Sequence, residues 1–464
     1  MRMYEEVVKE VLARVKPKPA DILRLRSTTE KLVKKIEEKA EELGIEVKVE
    51  LVGSVARGTW LRDERDIDIF LMFPESMSEK EMEELGMRLA KEVAGPSGRE
   101  EYAEHPYVRT TFDGFEVDLV PCFDVRDPSR IKSAVDRTPH HQAYVKRKMT
   151  EELADQVLVL KQFARGIGVY GAESKVQGFS GYLCELLILH YGSFMELVRS
   201  ASNWPARVII DVEGVKTDDL ADLFPNQPLI VIDPVDRKRN VAAAVSWRSF
   251  AIFVQACRDF LKAPDVKFFF PNPPPRLTRS KLQRVLKLRG TRLIFLLFHH
   301  GGLSEEIVYP QLRKTARALH GSLAQRGFSV LRSGVISDEK MAGVLLEVSP
   351  RRLPRVEIRL GPRLPIDSSN FIETHIRSSR RISGPMVNDF GHVIFEVERR
   401  DVDPASVVRN HLSSRTGFGK DMAELVQKGK CDLLTDLQVA DLLRRPVFRD
   451  FLSEYFDGRL PWYR

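Results

Sequence analysis

The 464-residue sequence is 43% hydrophobic and 30% charged, a composition that excludes a disordered or fibrous chain. A chain of this length is too long for one hydrophobic core, so two to four domains are expected. Its 73 basic and 66 acidic residues leave a net charge of +7, a modest indication of a polyanionic partner. Four widely spaced cysteines and the lack of any run of roughly 18 apolar residues argue against a disulfide framework, structural zinc and a membrane span, so we expect a cytoplasmic protein.

Helices are predicted before the first strand of the chain. Met3–Val15 is amphipathic, and Asp21–Leu43 carries apolar residues near helical spacing. Asp21 is expected to be the N-cap of this second helix, and Gly44 its C-terminal stop. Further along the chain, Ser78 opens another helix with a capping box.

Between these helices lies a strand, turn and strand. Ile45–Leu51 alternates apolar and charged residues, as a half-buried strand does, and Gly53 and Ser54 end it. A basic segment then leads to a second strand, on which Asp66 and Asp68 project from the same face. Paired carboxylates bind a hard divalent cation together with substrate phosphates, and a Gly-Ser turn offers backbone N–H groups and a hydroxyl to phosphate oxygens. The stretch predicts a nucleotidyl-transfer site.

A hairpin adds a third candidate carboxylate. Tyr107–Phe112 and Phe115–Val120 are predicted strands joined by Asp113-Gly114, a strong hairpin signal. Asp118 lies on the second strand of this hairpin. Taken alone, Asp118 is more simply explained as a solvent-facing strand aspartate.

The middle of the chain is predicted to be helical. Residues 131–171 have a helical and basic pattern, and the glycines of Gly178–Glu185 indicate a tight turn into a buried helix. Asp233–Asn240 is a compact charged loop, with a predicted helix at Val241–Phe260 behind it. The apolar stretch LLILHYGSF fits a core or an interface equally well, so the choice between a monomer and a homodimer stays open.

The stretch Pro271–Arg276 is the clearest linker in the chain. Beyond it we predict a small α+β module, followed by a mostly irregular or helical C-terminal part. The module's predicted elements are a strand at Arg292–His299, a helix at Ser304–Gln325, and strands at Phe328–Leu331, Met341–Val348 and Arg355–Leu360.

The order of these motifs resembles a known superfamily. A strand, Gly53-Ser54, a short basic segment, the Asp66-x-Asp68 strand and a hairpin Asp118 together resemble the DNA-polymerase-beta-like nucleotidyltransferases. Longer stretches, GSVARGTWLRDERDIDIFLMFP, VDRTPHHQAYV and DPVDRKRNVAAAVS, look like the archaeal class I CCA-adding enzymes (tRNA nucleotidyltransferases). The stretch GVYGAESKVQGFSGYLCELLI is the most specific, because antibiotic nucleotidyltransferases and poly(A) polymerases are not expected to carry it.

The resemblance implies a multidomain α+β fold. It implies a polymerase-beta-like nucleotidyltransferase head with a mixed sheet (1–145), a helical neck that binds nucleotide and tRNA (146–270), and an α+β body and tail that bind tRNA (271–464). The implied activity is template-independent addition of C, C and A to the tRNA 3′ end from CTP and ATP, with release of pyrophosphate. The body and tail would hold the acceptor stem and the T-loop side of tRNA.

Site residues are expected as follows. Asp66, Asp68 and Asp118 would be catalytic and would hold two Mg²⁺ ions, one lowering the pKa of the tRNA 3′-hydroxyl and one neutralising the triphosphate and departing pyrophosphate. The expected contacts to ATP and CTP are Gly53, Ser54, Arg57, His141, Lys161, Tyr170 and Arg239. Of these, His141, Lys161 and Tyr170 rest on the family motif alone; without it they are a surface histidine, a solvated lysine and a packing tyrosine.

Alternatives remain open at this point. His140 stands where the family pattern favours an apolar residue, and we assign the nucleotide contact to His141 by register. Another RNA-extending transferase, such as a poly(A) polymerase or an oligoadenylate-type synthase, would use the same head. An RNA-binding protein with an inert head would also suit the basic charge.

Overall fold

The computed structural model describes residues 2–102, 106–125, 127, 130, 135–214, 223–414 and 416–464. The chain divides into two compact units: Met1–Pro273 with Leu460–Arg464 form the first, and Pro274–Arg459 form the second. The division falls within the proline-rich stretch of the sequence. Among the described residues, none of the helices has the length and apolar character needed to cross a membrane.

The first unit combines a five-stranded sheet and a two-stranded sheet with a larger set of helices. Its helices are α1 (Arg2–Val15), α2 (Pro19–Leu43), α3 (Gly53–Arg57), α4 (Glu79–Ala94), α5 (Arg137–Lys148), α6 (Glu151–Gly166), α7 (Gly181–Tyr191), α8 (Phe194–Ala201) and α9 (Trp247–Lys262). Its strands are β1 (Lys48–Val52), β2 (Asp66–Phe73), β3 (Arg99–Tyr102), β4 (Pro106–Phe112), β5 (Phe115–Phe123), β6 (Val208–Asp211) and β7 (Leu229–Ile232).

Strands β1 to β5 form one mixed sheet in the order β1-β2-β5-β4-β3. Its neighbours pair antiparallel except for β2 and β5, which run parallel. Residues alternate between the two faces: Ile67 and Ile69 of β2 and Val117 and Leu119 of β5 are buried against a core that includes α2 and α4. The acidic residues of the same strands therefore face the other side of the sheet.

The hairpin between β4 and β5 forms at the predicted place. Asp113 and Gly114 both have positive φ angles (48° and 83°), and they pair Phe112 directly with Phe115. Two positive φ angles are typical of a turn whose twist matches that of the flanking strands. This prediction is confirmed.

The remaining helices of this unit pack around an aromatic core. Phe163 of α6 is fully buried and makes edge-on contacts with Phe194, Phe253 and Phe260. A truncation of such a side chain to alanine typically costs about 3–5 kcal/mol. Helix α7 is apolar on nearly every side because it lies within this core, and Ser180 caps it by accepting a hydrogen bond from the Leu183 N–H.

The second unit is built from two sheets and flanking helices. Its helices are α10 (Arg279–Arg289), α11 (Glu305–Gln325), α12 (Ser369–Ile376), α13 (Pro404–Ser414), α14 (Lys420–Gln427) and α15 (Pro446–Asp457). Its strands are β8 (Arg292–His299), β9 (Ser329–Ser337), β10 (Met341–Ser349), β11 (Val356–Arg363), β12 (Arg381–Val387), β13 (His392–Glu398) and β14 (Cys431–Thr435). The sheet orders are β14-β8-β10-β9 and β11-β13-β12.

Several element predictions need correction. Helix α2 begins at Pro19, and Asp21 lies in its first turn, where its carboxylate accepts the Lys18 N–H. Gly44 does end this helix, in the left-handed conformation. Helix α9 begins at Trp247, because Ser246 caps it.

The C-terminal part also contains strands that we predicted as irregular or helical. Strands β12 and β13 form a hairpin, and β14 pairs with β8, which lies more than a hundred residues earlier in the chain. A short edge strand of this kind has no local pattern that distinguishes it from a loop. Residues 131–134 of the predicted helical stretch lie outside the described residues, and α5 starts at Arg137.

Candidate active site

Three acidic residues lie together on the solvent-facing side of the first unit's sheet. The parallel register of β2 and β5 pairs Asp68 with Asp118, and Asp66 lies two residues before Asp68 on the same face. We call Asp66, Asp68 and Asp118 the carboxylate edge. Because backbone register alone places them, their proximity does not depend on side-chain packing.

The three carboxylates repel one another. Burial, followed by the negative charges of Asp118 and Asp66, raises the pKa of Asp68 to about 6. The positive charges of Arg57 and Arg109 act in the opposite direction. A pKa raised in this way indicates a place where negative charge is concentrated and where a cation would be stabilised.

The donor set of the carboxylate edge suits a hard divalent cation, which prefers carboxylate oxygens. In the part of the chain that the structure describes, no three histidine, cysteine or acidic side chains already converge as a metal cluster. Both oxygens of Asp118 accept hydrogen bonds from Arg109, from Nε and Nη2, each at 2.8 Å. The three carboxylates fit a divalent metal ion by their chemistry, and Arg109 holds one of these carboxylates, that of Asp118.

Gly53 brings the turn after β1 against the carboxylate edge. Its φ angle is +77°, and a Cβ atom at this position would overlap the Asp68 carboxylate. Glycine is required here for two reasons: other residues rarely adopt this φ, and any side chain would occupy the space of the Asp68 carboxylate. Ser54 follows it in the first turn of α3, so the Gly-Ser turn and the Asp68 carboxylate are direct neighbours.

Arg57, at the end of α3, is bound by two helices from later in the chain. Its Nε donates to Oε1 of Glu185 at 2.9 Å, and its Nη1 donates to Oε1 of Gln142 at 2.8 Å. The side chains of Arg57 and Glu185 are only 8% and 0% exposed. The Thr59 hydroxyl donates to the same Glu185 oxygen. Arg57 is therefore buried in an ion pair rather than extended into solvent.

Lys161 is also buried. Its Nζ donates to the Thr59 carbonyl at 2.7 Å and lies 3.8 Å from a Glu64 oxygen. The Tyr170 hydroxyl donates to Glu64 at 3.2 Å. We call Arg57, Thr59, Lys161 and Glu185 the buried network; it fastens the segment between the Gly-Ser turn and β2 to helices α6 and α7.

His141 and Arg239 meet at a common acidic partner. Nε2 of His141 lies 2.8 Å from Oδ2 of Asp233, and Nη1 of Arg239 donates to the same oxygen at 2.8 Å. Burial acts to raise the pKa of Asp233, but these hydrogen bonds outweigh it and the net pKa lies below the ordinary value. The His141 ring stacks on Tyr182, with 4.3 Å between ring centroids. His140 lies on the same helix, with a buried Nε2 that has no hydrogen-bond partner among the described residues.

The predicted site residues thus lie in one contiguous region of the first unit. Gly53 touches Asp68, Arg57 joins α3 to Gln142, and Gln142 is the chain neighbour of His141. Lys161 and Tyr170 join the same region through Thr59 and Glu64.

Sequence reasoning missed several residues that shape this region. Arg109 had a signal: counting back along the hairpin from Asp113-Gly114 pairs Arg109 with Asp118. Glu185 and Asp233 had none, because their partners lie 128 and 92 residues away in the chain.

Comparisons with known proteins agree with this geometry. A family model for a nucleotidyltransferase domain matches residues 31–141, one for a tRNA nucleotidyltransferase second domain matches 155–270, and one for a CCA-adding enzyme C-terminal domain matches 289–433. A CCA-adding enzyme of Methanosarcina barkeri is 40% identical over 92% of this chain and 93% of its own length. Another, from Methanosarcina acetivorans, is 37% identical over 97% of this chain and 98% of its own.

The chain belongs to the CCA-adding enzyme family. CCA-adding enzymes extend tRNA 3′ ends by nucleotidyl transfer, and their family is generally dependent on divalent metal ions. The multidomain α+β architecture with a nucleotidyltransferase domain, predicted from the sequence, is confirmed. A solved structure of a cytoplasmic RNA terminal U-transferase is similar over 57% of this chain and 96% of its own, but with 13% identity and a TM-score of 0.46 that likeness adds nothing to the assignment.

Proposed function

We propose that this CCA-adding enzyme uses CTP and ATP to extend tRNA at the carboxylate edge, with Asp66, Asp68 and Asp118 as its metal ligands. The observation that carries the proposal is the pairing of Asp68 with Asp118 across β2 and β5, with Gly53 packed against Asp68. Carboxylates and a phosphate-binding turn are the two components that nucleotidyl transfer needs side by side.

The carboxylates orient the reactants. When bound there, two Mg²⁺ ions would lower the pKa of the tRNA 3′-hydroxyl and neutralise charge on the triphosphate and pyrophosphate. Asp118 lies on the strand farther from the Gly-Ser turn, so we assign it to the hydroxyl side of the site. Gly53 and Ser54 hold the triphosphate through backbone N–H groups and the serine hydroxyl.

The remaining nucleotide contacts are assigned to residues of the same region that lie beyond the Gly-Ser turn. Arg57 and Lys161 keep positive charge beside the triphosphate while their own partners hold them in place. His141 and Tyr170 contact the nucleotide from α5 and from the segment before α7. Arg239 remains 38% exposed and can offer paired N–H donors to a base edge or a tRNA phosphate.

The rest of the chain is assigned to tRNA. We propose a catalytic head (1–145), a helical neck (146–270), and a body and tail (271–464) that hold the acceptor stem and the T-loop side. The four cysteines are free thiols, which suits the reducing cytoplasm. Light scattering of the purified protein decides between a monomer and a homodimer.

The decisive experiment supplies a tRNA that ends at the discriminator base, with Mg²⁺ and labelled CTP and ATP. We expect growth by C, C and then A; a lack of incorporation from CTP would refute the proposal. A long ladder from ATP alone on other RNAs would instead identify a poly(A) polymerase.

Asp68→Ala is the matched variant for this assay. We expect the same tRNA affinity as the unmodified chain and a loss of turnover of about 10²–10³-fold or more, the scale of losing a key electrostatic group. Equal tRNA binding with no turnover in either protein would identify an RNA-binding protein with an inert head.

A further inference from the structure

Arg109 is placed by the sheet directly beside the carboxylate edge. It lies on β4, opposite Asp118 of β5, and both Nε and Nη2 donate to the carboxylate at 2.8 Å. The Arg109 guanidinium also lies over the Tyr107 ring, 5.7 Å from its centroid. A planar guanidinium that donates two parallel hydrogen bonds takes up both oxygens of a carboxylate.

This geometry creates a conflict at Asp118. A metal ion bound by Asp118 needs at least one of the oxygens that Arg109 holds, and it carries the same sign of charge as Arg109. Across β5, by contrast, the sheet register pairs Asp66 with Glu116 and Asp68 with Asp118, so the partners of Asp66 and Asp68 on that strand are acidic rather than basic. The three carboxylates are therefore unequal.

We propose that Arg109 is a positioning residue that competes with the metal ion for Asp118. Asp118 joins the metal site only as Arg109 gives up at least one of its two hydrogen bonds. The metal bound mainly by Asp66 and Asp68 is accordingly acquired first, and the one that needs Asp118 is acquired at higher metal concentration. This inference rests on the proposed function of the carboxylate edge.

A purely structural cross-strand pair would behave differently. The side chains of Arg109 and Asp118 are 46% and 21% exposed, and ion pairs with this much exposure contribute little to stability. A structural pair therefore predicts a small change in unfolding and no change in metal affinity when Arg109 is replaced. Competition predicts a change in metal affinity.

The test is titration of the full chain with Mn²⁺ alone, followed by electron paramagnetic resonance of the free ion. We expect the more weakly bound of the two Mn²⁺ ions, the one that needs Asp118, to bind roughly three- to tenfold more tightly to Arg109→Ala than to the unmodified chain. The reason is that the substitution removes both a competing hydrogen bond and a repelling charge. Arg109→Lys keeps the charge but loses the pair of parallel hydrogen bonds, so its Mn²⁺ affinity should lie between those of the unmodified chain and Arg109→Ala.

Arg99→Ala is the matched control. Arg99 lies opposite Arg109 on β3, carries the same charge, and is one strand farther from Asp118. We expect less than about a twofold change in Mn²⁺ affinity, since exposed charges are screened over such separations. Thermal unfolding of each variant shows that it is folded.

Unchanged or weaker Mn²⁺ binding in folded Arg109→Ala or Arg109→Lys overturns the proposal, as does an equal gain in Arg99→Ala. Asp68→Asn separates this outcome from the proposed function. If Asp68→Asn binds Mn²⁺ as the unmodified chain does, the carboxylate edge is not the metal site and the proposed function itself fails.

Discussion

The carboxylate edge and the buried network lie next to each other but are built in different ways. The first consists of acidic side chains that strand register places side by side near solvent. The second consists of almost fully buried groups from distant segments: the Arg57–Glu185 ion pair joins residues 128 apart in the chain, and the Lys161 hydrogen bond to the Thr59 carbonyl joins residues 102 apart. Strand register fixes the positions of the three carboxylates although Asp66 is exposed and Asp68 and Asp118 are only partly buried, whereas the fully buried charges must pair with one another because water does not reach them.

The difference predicts two kinds of mutational effect. A change at the carboxylate edge removes charge or space from the reaction centre and leaves the core intact, so activity should fall with little loss of stability. A change that breaks the Arg57–Glu185 ion pair of the buried network leaves a buried charge without its partner, so stability should fall as well. Each of the following variants tests one side of this comparison.

The largest effect is expected for Glu185→Ala. It leaves Arg57 buried without its ionic partner, and breaking a buried pair in this way typically costs about 3–5 kcal/mol. The measurement is urea unfolding followed by tryptophan fluorescence, because all the tryptophans of the chain lie in the first unit.

Glu196→Ala is the control for Glu185→Ala. Glu196 pairs with Arg199 in the same unit, but the two side chains are 55% and 49% exposed, so we expect a loss of less than about 1 kcal/mol. If the two variants were equally stable, the buried network would not be a stabilising element of the fold.

An intermediate effect is expected for Gly53→Ala. The added Cβ overlaps the Asp68 carboxylate and must displace it, so we expect kcat to fall by about 10²-fold, the scale of a misplaced electrostatic group. Single-turnover kinetics of CTP addition measure this change.

Gly58→Ala separates the clash from backbone strain. Gly58 has a φ angle of +70°, close to that of Gly53, but a Cβ there would meet nothing within 4 Å. Both variants should lose about 1–2 kcal/mol of stability from the left-handed conformation, while only Gly53→Ala should lose activity. Equal activity in the two variants would mean that Asp68 tolerates displacement.

The smallest effect is expected for Lys161→Met. The side chain keeps its volume but loses the hydrogen bond to the Thr59 carbonyl and the positive charge near Glu64. We expect the nucleotide KM to rise by about tenfold, with a smaller change in tRNA affinity, as steady-state kinetics and filter binding would show. Lys146→Met, at an exposed position of α5, is the control.

A larger loss of tRNA affinity than of nucleotide affinity would place Lys161 on the RNA surface instead. In that case the buried network would be assigned to tRNA binding rather than to nucleotide binding.

The sequence alone determined the part of this protein that local periodicity and short turns control. Alternation placed Asp66 and Asp68 on one face, and the Asp113-Gly114 turn fixed the hairpin that carries Asp118. Counting back along the same hairpin also pairs Arg109 with Asp118. These features follow from backbone geometry, in which each residue constrains its near neighbours.

Only the tertiary structure decided the partners of the buried charges. Nothing near Arg57 in the chain indicates that Glu185 will neutralise it, and nothing near His141 indicates Asp233. A buried charge takes whichever opposite charge the packed helices bring within reach, and that choice depends on how the helices pack rather than on sequence spacing.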